Sequence, residues 1–181
     1  MDEPEAPGST HASIVYSFPP VVDARARVLI LGSMPSQASL AAGQYYAHPR
    51  NAFWPILGAL LGFSPELPYP ERVASLKDGG MALWDVLHSC ARRSSLDADI
   101  QENSIRPNAI APLLQQFPAI RRVFFNGSKS EQAFRRYVLP EIGPKRPDLT
   151  YRRLPSTSPA HAARSLQEKL AAWRALLDDH P

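Results

Sequence analysis

The sequence predicts an α/β protein in which helices cover both faces of a central, mostly parallel sheet of four strands. Four short apolar segments, each followed by turn-forming residues, have the character of buried strands: residues 27–31, 81–85, 121–125 and 150–154. Segments with the apolar spacing of helices lie between these strands and after the last one. Strands that alternate with helices are typical of parallel sheets covered on both faces. We therefore expect a three-layer α/β/α architecture.

The helices are predicted from apolar residues that recur every three or four positions along the chain. This spacing is found in four segments: residues 53–61, 110–117, 134–138 and 166–177. Two Ser-Pro pairs, Ser64-Pro65 and Ser158-Pro159, are also expected to begin helices. Serine caps the first backbone N–H groups of a helix, and proline fits its first turn.

Length and composition fit one domain rather than several. The chain has 181 residues, of which 44% are hydrophobic and 20% are charged. We expect a flexible tail at residues 1–12 and a single domain at residues 13–181. No targeting segment is visible, and no apolar run approaches the length of about 18 residues that a membrane span needs. The sequence therefore predicts a cytoplasmic protein that does not bind membranes.

The one cysteine, Cys90, restricts the chemistry that this chain can support. It excludes an intramolecular disulfide, a cysteine-rich zinc site and an iron–sulfur cluster with four cysteine ligands. The five histidines are scattered and lack the spacing of metal ligands. We expect no metal and no cofactor.

Basic residues are concentrated in one segment of the chain. Residues 121–153 hold nine basic and three acidic side chains, a net charge of +6 against −3 for the remainder. Such a segment is typical of proteins that bind a phosphate backbone. The alternative is a solvated helix and loop with surplus arginine.

Polar and turn-forming residues follow the carboxyl ends of the predicted strands. These ends carry residues 32–36 (GSMPS), Asp85, Asn126-Gly127 and residues 155–159 (PSTSP). In open parallel sheets, ligands bind at the carboxyl ends of the strands. Helices that begin there direct backbone N–H groups toward the ligand, which suits phosphate groups.

The most specific stretch is residues 31–57, LGSMPSQASLAAGQYYAHPRNAFWPIL. A strand ends in a Gly-x-x-Pro turn, an irregular loop carries paired tyrosines, and a His-Pro-Arg-Asn turn precedes an aromatic helix start. A tyrosine beside an asparagine amide at a strand-end cleft provides a flat stacking surface next to a polar group. This combination suits a planar heterocycle.

These segments, taken in order, resemble the uracil-DNA glycosylase superfamily. YYAHPRNAFWPIL is similar to the FAHPxNRFW stretch of the mismatch-specific uracil-DNA glycosylases, and GSMPS stands where that family has GINPG. RVFFNGSKS takes the place of the third-strand segment ILGKxA, and LPSTSPAHA that of LPNPSG or HPSP. The set is most similar to the hypoxanthine-DNA glycosylase branch, also called DNA-deoxyinosine glycosylase.

The resemblance implies a monofunctional, monomeric DNA glycosylase of base excision repair. Such an enzyme flips a deaminated base, here hypoxanthine, out of DNA, hydrolyses its N-glycosidic bond without a cofactor and leaves an abasic site. Two alternatives remain open at this point. One is a uracil or mismatch-specific uracil-DNA glycosylase, and the other is a catalytically silent nucleic-acid-binding domain.

The resemblance also implies that Asn51 is the catalytic residue. Other branches have an aspartate or asparagine in the first motif to activate or hold the attacking water, and this sequence has Met34 there. A carboxamide is a weak base, but it can hold and orient water. That suffices if catalysis depends mainly on stabilising the departing base in a dry pocket. The alternative for Asn51 is a turn or helix N-cap residue.

Base-binding roles are expected for Tyr46, Asn126, Gly32, Ser33 and Met34. Tyr46 aligns with the aromatic residue that stacks on the flipped base, whereas a place in the core is the default for its neighbour Tyr45. The Asn126 amide matches the O6 and N1–H edge of hypoxanthine, although Asn-Gly is also a common turn. Asp85 is expected to hold a backbone loop near the pocket rather than to act as an acid.

Contacts with the DNA backbone are expected from residues on the loops around the pocket. They are Pro35, Ser36, His48, Ser128, Lys129, Ser156, Thr157, Ser158 and His161. In the superfamily, the loop that contains residues 156–159 resembles a wedge in the minor groove and a phosphate clamp. Lys129 could in principle form a Schiff base, but its place after a Gly-Ser turn at a helix start favours phosphate contact.

Overall fold

The computed structural model describes residues 12–178, so the predicted tail at residues 1–12 lies outside the described residues except for Ala12. The strands are β1 Ser13–Tyr16, β2 Val28–Gly32, β3 Met81–Asp85, β4 Leu87–Arg92, β5 Arg106–Pro107, β6 Arg122–Asn126 and β7 Thr150–Leu154. The α-helices are α1 Gln37–Ala42, α2 Phe53–Leu61, α3 Tyr69–Asp78, α4 Ile110–Gln116, α5 Ser128–Tyr137, α6 Leu139–Ile142 and α7 Leu166–Trp173. Within residues 12–178, no helix has the length and apolar character needed to cross a membrane.

Four of these strands form the central sheet, in the order β3-β2-β6-β7. Every neighbouring pair is parallel, and β2 lies in the middle, paired with β3 on one side and with β6 on the other. The four strands predicted from the sequence are confirmed, each within one residue of its predicted bounds. All four carboxyl ends consequently lie along the same edge of the sheet.

The two faces of this sheet carry separate hydrophobic clusters. On β2, Leu29 and Leu31 pack on the face covered by α4, α5 and α6. Val28 and Ile30 pack on the opposite face, which α2, α3 and α7 cover. Since successive side chains of a strand point to opposite faces, a strand that is apolar throughout must be covered on both sides. The predicted three-layer α/β/α fold is confirmed.

A second sheet was not predicted. It is small and antiparallel, with strand order β1-β4-β5. The β4 segment, LHSCAR, lacks the alternation of apolar and polar residues that would identify a strand. The side chain of Asn108 holds this sheet to the central one, because its Nδ2 donates to the backbone carbonyls of Asp85 and Leu87 at 2.8 and 3.1 Å.

Both Ser-Pro predictions for helix starts are wrong. Residues 158–164 form turns, and α7 begins only after Ser165. Ser165 and Glu168 form a capping box, in which each side chain accepts from the other residue's backbone N–H, and this fixes the start of α7. The Ser64 hydroxyl likewise closes only a local turn by accepting from Glu66 N–H. The helix that follows begins at Tyr69.

Candidate functional site

A cavity of about 320 Å³ opens at the carboxyl ends of β2, β3 and β6. Every residue predicted for catalysis, base binding or DNA binding lines this cavity, with the exception of His48. The topology explains this convergence, because the loops that leave parallel strands must emerge at the same edge of the sheet. Asp85 and residues 95–98 also line the cavity, although the sequence predicted no direct role in binding for them.

His48 lies in the turn that leads to Asn51 rather than in the cavity. Its Nδ1 accepts from the backbone N–H of Arg50 at 3.1 Å. Its carbonyl accepts from the backbone N–H of Asn51 at 2.9 Å. The imidazole is therefore part of the local structure that positions Asn51.

Asn51 is held at the start of α2, and its side chain borders the cavity. Its Oδ1 accepts from the backbone N–H of Phe53 at 2.9 Å. This is the helix-start contact that the sequence left open as an alternative to catalysis, and the two roles are compatible. The bond fixes the plane of the carboxamide and leaves its NH2 group and one oxygen lone pair for a ligand.

Tyr46 has an unusual backbone conformation at the cavity wall. Its φ of 54° makes it the one non-glycine residue with a positive φ in residues 12–178. Its ring stacks on Phe53, with centroids 4.0 Å apart and an interplanar angle of 18°. Its hydroxyl is buried without a hydrogen-bond partner among the described residues. Burial raises the pKa of the Tyr46 hydroxyl, and negative charge on Asp85 acts in the same direction, so the phenol stays neutral.

The neighbouring Tyr45 belongs to the core, as expected. It is 3% exposed, and its hydroxyl donates to the carbonyl of Pro19 at 3.0 Å. The Trp54 indole N–H donates to the carbonyl of Tyr45 at 2.9 Å. These bonds fix the backbone of Tyr45 and so place Tyr46 at the cavity.

Gly32 allows the Asp85 carboxyl and the Tyr46 hydroxyl to pack closely against the backbone at the end of β2. A Cβ atom at position 32 would lie 2.5 Å from Asp85 Oδ1 and 2.8 Å from the Tyr46 hydroxyl. Both distances are far below ordinary van der Waals contact. The first glycine of the GSMPS motif is therefore required for close packing at this point, and its backbone conformation is the ordinary one of a strand.

Asp85 is the most perturbed acid of the cavity. It is 3% exposed, and its Oδ2 has no hydrogen-bond partner in the described part of the chain. Burial raises the pKa of Asp85 to about 7, negative charge on Asp97 adds to this rise, and Arg92 opposes it. Across residues 12–178, His, Cys, Asp and Glu side chains form no group of three or more that could hold a metal ion.

The expectation that the Asp85 side chain holds a backbone loop is wrong. The group of Asp85 that binds a neighbouring segment is its main-chain carbonyl, which accepts from Asn108. Its carboxyl instead lies over Gly32 in the cavity. A sequence signal existed, since Asp85 is the single charged residue of the apolar strand MALWD.

Asn126 and Thr157 join the end of β6 to the loop of residues 155–158. The Asn126 Oδ1 accepts from the Thr157 backbone N–H, and the Asn126 Nδ2 donates to the Thr157 hydroxyl, both at 2.9 Å. Thr157 is 1% exposed, and its carbonyl accepts from the N–H of Ala52 at 3.0 Å. Asn126 keeps one oxygen lone pair for a ligand, whereas Thr157 stabilises the loop from inside.

The loop of the first motif is supported by a buried arginine and by helix α1. Arg92, 3% exposed, donates from its guanidinium to the carbonyl of Pro35. Burial lowers the pKa of Arg92. Ser36 is the N-cap of α1 and accepts from the N–H of Ser39 at 3.2 Å. The short turn from β2 into α1 is thus fixed on both sides.

The remaining wall of the cavity comes from residues 95–98, for which the sequence gives no functional signal. Ser95 Oγ accepts from the backbone N–H of Gln37 at 2.8 Å. Ser33 donates its hydroxyl to Asp97 Oδ1 at 2.6 Å. These two bonds attach the segment to the loop of the first motif.

A second, basic groove of about 470 Å³ adjoins the cavity. The two share three lining residues, Ser128, Ser156 and His161. The groove is further lined by Arg152, Arg153, Arg164 and Lys169. Arg152 and Arg164 form no ion pair within residues 12–178, and they are exposed to solvent.

Other basic residues of segment 121–153 have structural partners. The Lys129 ammonium at the cavity rim pairs with the Glu102 carboxylate. Arg146 pairs with Asp148 at 2.9 Å and donates to the carbonyl of Leu114 at 2.6 Å. The excess of positive charge seen in the sequence is therefore spread over several surfaces, and the arginines of the basic groove are a minor part of it.

Comparisons with known proteins agree with this geometry. Residues 19–177 match a family model described as the uracil DNA glycosylase superfamily. A hypoxanthine DNA glycosylase from Methanosarcina barkeri is 39% identical over 114 residues, which cover 62% of this chain and 71% of that protein. A second, from Methanosarcina acetivorans, is 36% identical over 118 residues, which cover 65% of this chain and 73% of that protein.

A solved structure has the same fold. It is the solution structure of a Methanosarcina acetivorans protein described as a candidate uracil DNA glycosylase, with a TM-score of 0.73 and 32% identity. The match covers 92% of this chain and all of that one.

Proposed function

The chain belongs to the uracil DNA glycosylase superfamily, and from this we propose that it excises deaminated bases from DNA, with hypoxanthine as the preferred base. The observation that carries the proposal is one cavity in which Tyr46, Asn51 and Asp85 meet at the carboxyl ends of the sheet. The relatives named hypoxanthine DNA glycosylase support the choice of base. We expect a monomer that acts on DNA in the cytoplasm.

The base must leave the duplex before this cavity can hold it. One face of the Tyr46 ring is already stacked on Phe53. The flipped base therefore stacks against the part of the Tyr46 ring that faces the cavity. The bond between Asn51 and Phe53 and the stacking of Tyr46 on Phe53 hold both residues in place before DNA arrives. Such preorganisation reduces the ordering cost of binding.

Asp85 is the group proposed to bind the polar edge of hypoxanthine. Its carboxyl is buried, borders the cavity and lacks a hydrogen-bond partner on Oδ2 among the described residues. Hypoxanthine presents the O6 acceptor beside the N1–H donor. A protonated carboxyl donates to O6 and accepts from N1–H, and a pKa of about 7 keeps that form populated at neutral pH. The side chain of Asn126 borders the same cavity and adds an amide near the base.

Asn51 is proposed to orient the attacking water. In the reaction, the bond between C1′ and the base nitrogen breaks, and its electron pair leaves with the base. The water oxygen bonds to C1′, and the proton it loses balances the charge of the departing base. Asn51 accepts from the water through its free oxygen lone pair, while the dry, polar pocket stabilises negative charge on the base.

The basic groove is proposed to hold the DNA strand that carries the lesion. Arg152 and Arg164 are exposed and lie beside the cavity, where the backbone on one side of a flipped nucleotide must pass. Arginine contacts with phosphates give affinity without sequence preference and make binding depend on salt. This suits an enzyme that finds a damaged base in any sequence.

A panel of oligonucleotides tests the proposal. Duplexes with one hypoxanthine, uracil or xanthine are incubated with the wild type, with Asn51→Ala and with Asn103→Ala as a matched control, since Asn103 is exposed and outside the cavity. We expect the wild type and the control to release hypoxanthine fastest, and Asn51→Ala to lose most activity. Release of uracil but not hypoxanthine would favour a uracil glycosylase. Binding of abasic DNA with no release of any base would favour a silent binding domain.

A further inference from the structure

Asp97 is a second carboxylate of the cavity, and the proposed reaction does not yet use it. Its side chain lines the cavity together with Asn51 and Asp85. Within residues 12–178, Asp97 forms no ion pair with a lysine, arginine or histidine. The hydrogen bond that its carboxylate accepts there comes from the Ser33 hydroxyl, at 2.6 Å. Lone pairs of the Asp97 carboxylate are therefore available to take up a proton.

The bond to Asp97 determines what the Ser33 hydroxyl can do in the cavity. A carboxylate only accepts, so the one hydrogen of the Ser33 hydroxyl points to Asp97, and the Ser33 oxygen can only accept from a ligand or a water. The backbone at this position is fixed. The Ser33 carbonyl accepts from the Leu87 N–H at 3.1 Å, and the Gly32 carbonyl accepts from the Val86 N–H at 2.8 Å. Ser33 thus places a hydrogen-bond acceptor in the wall of the cavity.

The turn that carries Asp97 is attached to the rest of the cavity wall. Ser95 Oγ accepts from the backbone N–H of Gln37 at 2.8 Å. The Asp97 carbonyl accepts from the N–H of Ile100 at 3.2 Å. A group that takes part in a reaction must be held in the productive position, and a mobile loop does this poorly. These bonds position Asp97 before any substrate binds.

The two carboxyls of the cavity lie in different surroundings, although they contact consecutive residues of the chain. Asp85 packs over Gly32, whereas Asp97 binds the hydroxyl of Ser33. Burial raises the pKa of Asp85 to about 7, and negative charge on Asp97 adds to this rise. Pairs of carboxyls whose surroundings differ in this way divide the acid and base roles of a reaction. Asp85 is the carboxyl that keeps a proton, and Asp97 is the one that can receive one.

We propose that Ser33 and Asp97 together accept the proton of the attacking water, and so supply the base that Met34 cannot provide in the first motif. This rests on the proposed function, since the attack on C1′ is the step it serves. As the water oxygen bonds to C1′, its proton passes to Ser33 Oγ and the Ser33 proton passes to Asp97 Oδ1. The bond from C1′ to the base breaks, and its electron pair leaves with the base. Ser33 ends unchanged, and Asp97 ends as a neutral carboxyl that releases the proton to solvent.

Substitutions that keep the size of the side chain test this role. Asp97→Asn still accepts from Ser33 but takes up no proton, and we expect hypoxanthine release in a single turnover to slow by about 100-fold. Ser33→Ala should slow it by a similar factor, and the double variant should be little slower than either one, because the two residues act as a unit. Asp99→Asn is the matched control. Its carboxylate also accepts from a serine, Ser94, but does not line the cavity, so its rate should stay within about twofold of wild type.

A nucleophile without a proton gives an independent test. Azide attacks C1′ without having to lose a proton, so it needs no base. Sodium azide should speed base release by Asp97→Asn by about 10-fold or more, and should leave an azide bonded to C1′ of the sugar. The same salt should change the wild-type rate little. No acceleration by azide, or losses that multiply in the double variant, would overturn the role of Ser33 and Asp97.

A role of Asp97 that works only through the pKa of Asp85 is distinguished in an Asp85→Asn background. The charges that act on Asp85 are those of Asp97 and Arg92, and an asparagine at position 85 responds to neither by titrating. Its amide can still donate to O6 and accept from N1–H. Asp97→Asn should cause the same loss of about 100-fold in this background. A loss that disappears there would overturn the base role, whereas wild type that releases no base at all would refute the proposed function.

Discussion

Replacing Asp85 with asparagine should make the stability of the protein less dependent on pH. The buried carboxyl has a pKa raised from 3.8 to about 7, with burial as the main cause. The folded protein therefore keeps a proton that the unfolded chain has already released. Stability from this group is fully present below about pH 4, falls as the pH rises toward 7 and is constant above that. Asparagine does not titrate, so Asp85→Asn removes this decline.

The size of the change in stability follows from the shift in the pKa of Asp85. A change of about three pKa units, at about 1.36 kcal/mol each, sets an upper limit of about 4 kcal/mol for the destabilisation at pH 8. The asparagine N–H2 group would itself be buried without a partner, which offsets about 1–3 kcal/mol of the gain. We therefore expect Asp85→Asn to be about 1–3 kcal/mol more stable than wild type at pH 8 and within about 1 kcal/mol of wild type at pH 5.

Urea unfolding at pH 5, 6, 7 and 8, followed by tryptophan fluorescence, measures this difference. Asp148→Asn is the control, because its partner Arg146 lowers the pKa of the exposed Asp148 carboxyl to about 2. That variant should differ from wild type by a constant amount between pH 5 and 8. Parallel curves for wild type and Asp85→Asn over the same range would contradict a raised pKa, since they would mean that Asp85 is ionised in the folded protein throughout.

Three other substitutions test particular contacts. Gly32→Ala places a Cβ 2.5 Å from the Asp85 carboxyl. It should lower the free energy of unfolding by about 1–3 kcal/mol, measured by thermal unfolding, and abolish excision in a duplex assay. Thr157→Val removes the acceptor of the Asn126 N–H and should cost about 1–3 kcal/mol in urea unfolding, whereas Thr150→Val on β7 should cost less. Arg152→Ala should weaken binding of abasic duplex and reduce the salt slope by about 1, and an unchanged slope would place Arg152 outside the DNA interface.

The sequence predicted the central sheet well because the signals there are local and strong. Each buried strand is a short apolar run that ends in a turn, and the structure has the same four strands in one parallel sheet. Asn126-Gly127 was also a reliable boundary: β6 ends at Asn126, Gly127 has a φ of 92°, and α5 begins at the next residue. Parallel topology then gathers the strand ends without further information.

Helix starts and the strands of the small sheet were harder to predict. A single segment does not show which of several candidate cap residues begins a helix, or whether a distant strand pairs with it. Ser158-Pro159 and Ser165 are both reasonable caps, but only Ser165 has Glu168 three residues later to complete a capping box. β4 pairs with β1, which is far from it in sequence, so its strand character comes from the pairing rather than from its own residues. The start of α7 is thus set by a local capping box, whereas the strand character of β4 is set by a distant partner.

The site residues that belong to sequence motifs were predictable, whereas those brought to the cavity by packing were not. The loops with Asn51 and Asn126 could be identified from their motifs, and they do meet in one cavity. The raised pKa of Asp85 depends on the burial of its carboxyl and on the charge of Asp97, which no local sequence pattern shows. The turn that carries Asp97 reaches the cavity through its bonds to Gln37 and Ser33, and those contacts join segments about 60 residues apart.

Direct identification of the released base is the most direct test of the proposed function. A duplex with a single deoxyinosine is incubated with excess enzyme, and free base and abasic sites are quantified over time by chromatography and alkaline cleavage. Wild type is expected to form free hypoxanthine and abasic sites in equal amounts, whereas Asn51→Ala is expected to form them at least about 100-fold more slowly while still binding abasic DNA. Deoxyinosine that stays intact with the wild type would contradict the proposed function. Release of hypoxanthine that is as fast with Asn51→Ala as with the wild type would contradict the role of Asn51.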